Sequence, residues 1–82
     1  MEQVVTTAVA LGQALKRVRE LKGLNQTEAG QPLNLSQRTV SILEHGASGA
    51  RLDTLFRMLA ALDLEIVVRT KLANDKISED KW

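Results

Sequence analysis

A small, mainly α domain of four to five helices, with one C-terminal β-strand, is the fold this sequence predicts. Three observations point there. Apolar residues recur at three- and four-residue spacing in Leu11–Val18 and again in Leu52–Leu62. Between them, Gln26–His45 (QTEAGQPLNLSQRTVSILEH) orders small, apolar and turn-forming residues as two short helices meeting at a tight corner require. After them, Leu64–Thr70 is β-branched, with Leu64, Ile66 and Val68 alternating with Glu65, Val67 and Arg69.

The elements follow in order. Residues 1–6 are short and β-branched without a helix signature, and are expected to be a flexible N-terminus. Thr7 is the N-cap of a first helix over about Thr7–Lys22, with Leu11, Leu15 and Val18 on its apolar stripe and Lys16, Arg17 and Glu20 opposite. Lys22 and Gly23 supply a basic last turn and a C-terminal glycine. Asn25 caps a second helix, with Glu28 at capping-box spacing. Pro32 lacks the amide hydrogen a helix needs, so that helix must end early or kink. Ser36 caps a third helix, Gly46–Ala50 is a loop by composition, and the last helix spans about Leu52–Leu62 with Asp53 at its positive end. A lone strand at Leu64–Thr70 cannot pair its own backbone groups, so the partner strand is expected from a second copy, giving a homodimer through Leu64, Ile66, Val67 and Val68. The alternative for this stretch is a frayed continuation of the helix. Residues 71–82 have no apolar face and are expected to be a disordered tail; the domain proper is 7–70.

Within Gln26–His45 eight of the 20 positions fit a common pattern, each for a separate steric reason. Gly30 stands where the two helices touch, and Asn34 stands in the turn, where a left-handed backbone is needed. Ala29, Leu33, Leu35, Val40 and Leu43 bury the corner, which leaves Gln37, Arg38 and Ser41 on the outward face of the third helix. That is a helix-turn-helix, and its expected ligand is duplex DNA. An ordinary αα-hairpin is the bland alternative.

The composition is compatible with this and excludes much else. A chain of 82 residues with 44% hydrophobic content makes one domain with one modest core. Phe56 and Trp82 are its only aromatic residues, so the core is expected to be Leu, Val, Ile and Ala. With no cysteine and one histidine, no disulfide, metal or cofactor is expected, and nucleophile–base pairs for an enzyme are hard to build. No run reaches membrane-spanning length and no signal-peptide layout precedes the domain, so the cytoplasm is the expected location. The net charge of +1 conceals an asymmetry: Lys16, Arg17, Arg19 and Lys22 face only Glu2 and Glu20 in the first 23 residues.

A helix in the major groove reads bases with its N-terminal residues. Gln37 is suited to a bidentate contact with adenine, and Arg38 to guanine or a phosphate. Ser41 follows one turn later. Ile42 either packs on thymine methyls or is a solitary surface apolar residue; Thr39 either joins the outward face or turns toward the protein. Gln26 is expected to hold a phosphate and brace Gln37, with Thr27, Ser36 and Arg51 as further phosphate ligands. Ser48 and Gly49 are candidate sources of backbone amides, Arg17 is a further clamp candidate, and His45 reads as a surface residue.

Residues 11–62 resemble the lambda-repressor-like, Xre-type helix-turn-helix family. LGQALKRVRELKGLNQTEAG is similar to its opening, and LSQRTVSILEHG to its recognition helix and the turn after it. The resemblance implies a lambda-repressor-like DNA-binding domain. It also implies that Arg19 pairs with Glu44 as a structural ion pair, that Gln37, Arg38, Ser41 and Ile42 read bases, and that Gln26 braces on a phosphate. Pro32 and Asn34 depart from the family's usual helix former and glycine. The strand LDLEIVVRT and a polar tail ending in Trp82 are similar to HipB-type antitoxins. That likeness implies a dimeric repressor of its own operator that also holds a HipA-like serine/threonine kinase toxin, with Trp82 as a partner contact. A stand-alone Xre-type regulator is the alternative.

Overall fold

The structure is a computed structural model and describes residues 2–46 and 49–71. It contains four α-helices, α1 (Ala8–Leu21), α2 (Gln26–Gly30), α3 (Gln37–Glu44) and α4 (Leu52–Ala61), with a 3-10 turn at Gln31–Leu33 between α2 and α3. Local chemistry starts each of the first three. Thr7 Oγ1 accepts from the Ala10 amide at 3.0 Å. Asn25 and Glu28 exchange backbone and side-chain bonds at 2.8 Å in a complete capping box. Ser36 Oγ accepts from the Thr39 amide at 3.1 Å.

The helix ends are equally local. Beyond α1, Gly23 adopts φ 72° and the Gly23 and Leu24 amides close on the carbonyls of Glu20 and Arg19. Pro32 ends α2 at Gly30 and tightens the chain into the 3-10 turn, after which Asn34 takes φ 58°. Asp63, at φ 61°, repeats the left-handed cap after α4: its amide reaches Ala60 O, and the Leu64 amide reaches Leu59 O at 2.8 Å.

The core is one cluster of Leu15, Val18, Ala29, Leu35, Val40, Leu43, Met58, Leu59 and Leu62, with Leu11, Leu24, Leu33, Leu55 and Leu64 packed around it. Two expectations are corrected. Met58 is fully buried, so the core is not confined to Leu, Val, Ile and Ala. Leu52 and Phe56, part of the repeat that defined α4, are 67% and 50% exposed. The buried arc runs through Leu55, Met58, Leu59 and Leu62 at i, i+3, i+4 and i+7, and Leu52 and Phe56 fall to one side of it. The packing partners of α4, not its internal spacing, select which arc is covered.

Among the described residues no strand is paired. Leu64 packs against the core, but Ile66, Val67 and Val68 are 47%, 67% and 93% exposed within the protomer. Residues 72–82, including the tail and Trp82, lie outside the described residues, as do Ala47 and Ser48 of the loop.

Candidate nucleic-acid interface

α2 and α3 meet at a corner that only glycine permits. A Cβ on Gly30 would collide with the Leu35 carbonyl oxygen and stand 3.0 Å from Val40 Cγ2. The intervening turn is closed by Leu35 N–H donating to Gly30 O at 2.9 Å, and is clamped from α4 by Arg57, whose Nη2 donates to Leu33 O at 2.6 Å. α3 crosses α1 equally closely: a Cβ on Gly12 would lie 2.5 Å from the Glu44 carbonyl oxygen. These contacts fix α3 on two sides, and its remaining face is uncovered among the described residues.

That face carries Gln37 and Arg38, both exposed, with Ser41 half-buried and Ile42 41% exposed one turn on. Thr39 turns back toward the protein, its hydroxyl 3.0 Å from Ser36 Oγ. Gln26, at the start of α2, sits beside Gln37, and the Gln37 amide Nε2 donates to Gln26 Oε1. Gln26 Nε2 in turn donates to Glu44 Oε1 at 3.1 Å. Thr27 is exposed next to Gln26, while Ser36 is occupied as a cap. Arg51 is exposed and engages Asp53 at 3.0 Å, so a phosphate would have to compete with that carboxylate. His45 is exposed, its Nδ1 2.7 Å from Ser41 O.

Behind this face lies a buried ion pair. Arg19 Nε donates to Glu44 Oε2 at 2.5 Å and Nη2 to Oε1 at 3.1 Å, while Nη1 donates to Leu24 O at 2.9 Å. The two side chains are 11% and 2% exposed. Burial pushes the Glu44 carboxyl up. Hydrogen bonds from Arg19 and Gln26, with the charges of Arg19 and Lys16, outweigh that and hold it below the usual glutamate range. A shallow groove lined by Val9, Gln13, Lys16, Gln26 and His45 leads to this pair from outside.

The arrangement brings Gln26, Gln37 and Glu44 into one connected set and displays Arg38 and Ile42 next to it. It does not bring Arg51 into that set. Gly12 and Arg57 were not singled out from the sequence. An isolated glycine inside a helical pattern weakens the helix and so points to a packing reason, whereas nothing local marks Arg57 as a clamp. Among the described residues, no group of three His, Cys, Asp or Glu side chains is placed to hold a metal ion.

Comparison with known proteins matches this geometry to a family. A helix-turn-helix family model matches residues 15–68. The chain belongs to the helix-turn-helix family. It is similar to antitoxin HipB of Escherichia coli K12, 29% identical over 66 residues, covering 80% of this chain and 75% of the relative. Antitoxin HipB of E. coli O6:H1 is similar to the same degree, with 70% of its length covered. Among solved structures, HipB in a HipB-O4 20mer complex superposes with a TM-score of 0.78 at 28% identity, over 84% of this chain and 97% of that one. A chain of the HipA-HipB-O2-O3 complex gives the same TM-score, 0.78, and the same coverage. The Xre-type, HipB-like fold is thus that of this chain, with α2 and α3 as its helix-turn-helix.

Proposed function

We propose that this protein is a sequence-specific DNA-binding repressor and the antitoxin of a type II toxin–antitoxin module, in which Gln37, Arg38, Ser41 and Ile42 face base edges in the major groove. The observation that carries the reading is the exposed N-terminal face of α3, with Gln37 held by Gln26 instead of left to solvent. Pre-ordering a long polar side chain costs conformational entropy in the free protein and lowers the cost of ordering it against a base. Gln26, Thr27, Ser36 and Arg51 contact phosphates and set the docking register. The similarity to HipB, whose solved complexes include one with HipA, supports a HipA-like serine/threonine kinase as second partner.

The active form is a homodimer. Ile66, Val67 and Val68 expose apolar side chains that none of the described residues covers, and pairing the Leu64–Thr70 segments across a two-fold axis satisfies their backbone groups and sets these side chains beside their counterparts on the second copy. Two α3 helices then address two half-sites.

Fluorescence-anisotropy titration on the duplex upstream of its own gene, against a scrambled duplex at two salt concentrations, tests the reading. Binding should be specific and weaken with salt, and Gln37→Ala should cost about 1–3 kcal/mol on the specific duplex alone. Equal losses on both duplexes would remove Gln37 from base reading. Co-purification with the product of an adjacent HipA-like kinase gene tests the antitoxin assignment. An intact operator complex with no kinase captured would leave a stand-alone regulator.

A further inference from the structure

The hydrogen-bond chain that ends on Gln37 has a direction. Glu44 is buried, ionised and paired with Arg19, and an ionised carboxylate can only accept hydrogen bonds. Gln26 must therefore turn its NH2 group toward Glu44, where Nε2 lies 3.1 Å from Oε1. That leaves Gln26 Oε1 as the atom facing Gln37, so Gln37 must answer with its own Nε2. The groups left to point away from the protein are Gln37 Oε1 and the second N–H of its amide. A glutamine amide free in water presents either end. This one cannot turn over without setting two carbonyl oxygens against each other.

We propose that the buried Arg19–Glu44 pair, acting through Gln26, fixes the amide orientation of Gln37 and so makes it select adenine over guanine. Gln26 and Glu44 are positioning residues here and Gln37 is the one that touches the base; the inference rests on the DNA-binding reading above. In the major groove adenine offers the N7 acceptor and an N6 donor, whereas guanine offers two acceptors, N7 and O6. Gln37 held with Oε1 and one N–H outward matches adenine. Against guanine its Oε1 would oppose O6, and relieving that contact means turning the amide over and breaking the bond to Gln26. An ion pair with almost no solvent exposure thus supplies specificity without touching DNA.

The test uses the full chain. Duplexes are selected from a random pool with the wild type, and the base pair read by Gln37 is located as the one where Gln37→Ala loses its preference. Affinities are then measured on four duplexes differing only at that pair. Gln26→Leu removes the relay but leaves Arg19–Glu44 intact, and Gln26 is only half-buried, so folding is retained. The adenine-over-guanine ratio should fall roughly tenfold in this variant, in addition to any uniform loss from a missing phosphate contact. Glu44→Gln, whose amide can face Gln26 either way, should relax the ratio in the same direction; if it fails to fold, Gln26→Leu still decides. An unchanged ratio in Gln26→Leu, with affinity lowered equally on all four duplexes, would overturn the proposal. Wild-type protein that enriches no sequence at all would overturn the DNA reading itself, and this inference with it.

Discussion

Gly12→Ala sets two effects of opposite sign against each other in the interior of α1. Alanine is the better helix former by about 1 kcal/mol, so on local grounds the substitution stabilises. The new Cβ, however, would stand 2.5 Å from the Glu44 carbonyl oxygen, 2.8 Å from its carbon and 2.8 Å from the Leu43 carbonyl oxygen. All three are backbone atoms at the end of α3, and no side-chain rotation can make room. α1 and α3 must separate, and overpacking of this kind costs about 1–3 kcal/mol or somewhat more. The close contact should win by about 1–2 kcal/mol, lowering Tm by about 5–15 °C in a domain this small. Urea and thermal unfolding followed by circular dichroism would measure it. Gln13→Ala, on the exposed face of the same helix, is the control and should be neutral or slightly stabilising. Because the displaced atoms belong to Leu43 and Glu44, Gly12→Ala should also weaken DNA binding. If Gly12→Ala proves as stable as the wild type or more so, the close α1–α3 approach is wrong.

Further outcomes follow from the same contacts. Glu44→Ala leaves Arg19 buried without its carboxylate and should cost about 3–5 kcal/mol in urea unfolding, more than any exposed charge substitution. The folded-state pKa of Glu44 lies below its unfolded value, so the pair's contribution is fully present above the ordinary glutamate pKa of about 4.3 and is lost as pH falls through the folded value. A stability–pH profile should therefore drop on the acid side of about pH 4, and Glu44→Gln should flatten that drop. Asn34→Val puts a β-branched residue at φ 58° and should destabilise by roughly 1–2 kcal/mol, whereas Asn34→Gly should be nearly neutral, both read by thermal unfolding. Val67→Pro removes a donor from the proposed cross-dimer strand, and sedimentation at micromolar concentration should show it as monomer where the wild type is dimer. Equal mass for the two would refute the paired strand.

What the sequence determined by itself was the set of features decided within a few residues. Thr7, Asn25 and Ser36 each bond a backbone amide three positions on. Gly23 and Asn34 sit at left-handed positions immediately after helical turns, and Pro32 ends α2 because its own ring cannot donate. Such interactions depend on residue type and spacing alone, and so did the outward placement of Gln37, Arg38 and Ile42. The tertiary structure decided what depends on distant partners. The α4 sequence allows several apolar arcs, and only its packing against the rest of the domain buries Met58 and exposes Leu52 and Phe56. Arg57 clamps a turn 24 positions away, and Gly12 is required only because α3 ends against it. The direction of the Glu44–Gln26–Gln37 chain likewise exists only once α2 and α3 bring together residues 18 and 11 positions apart. A hydrogen bond's polarity is set by its neighbour's chemistry, and that neighbour is chosen by the fold.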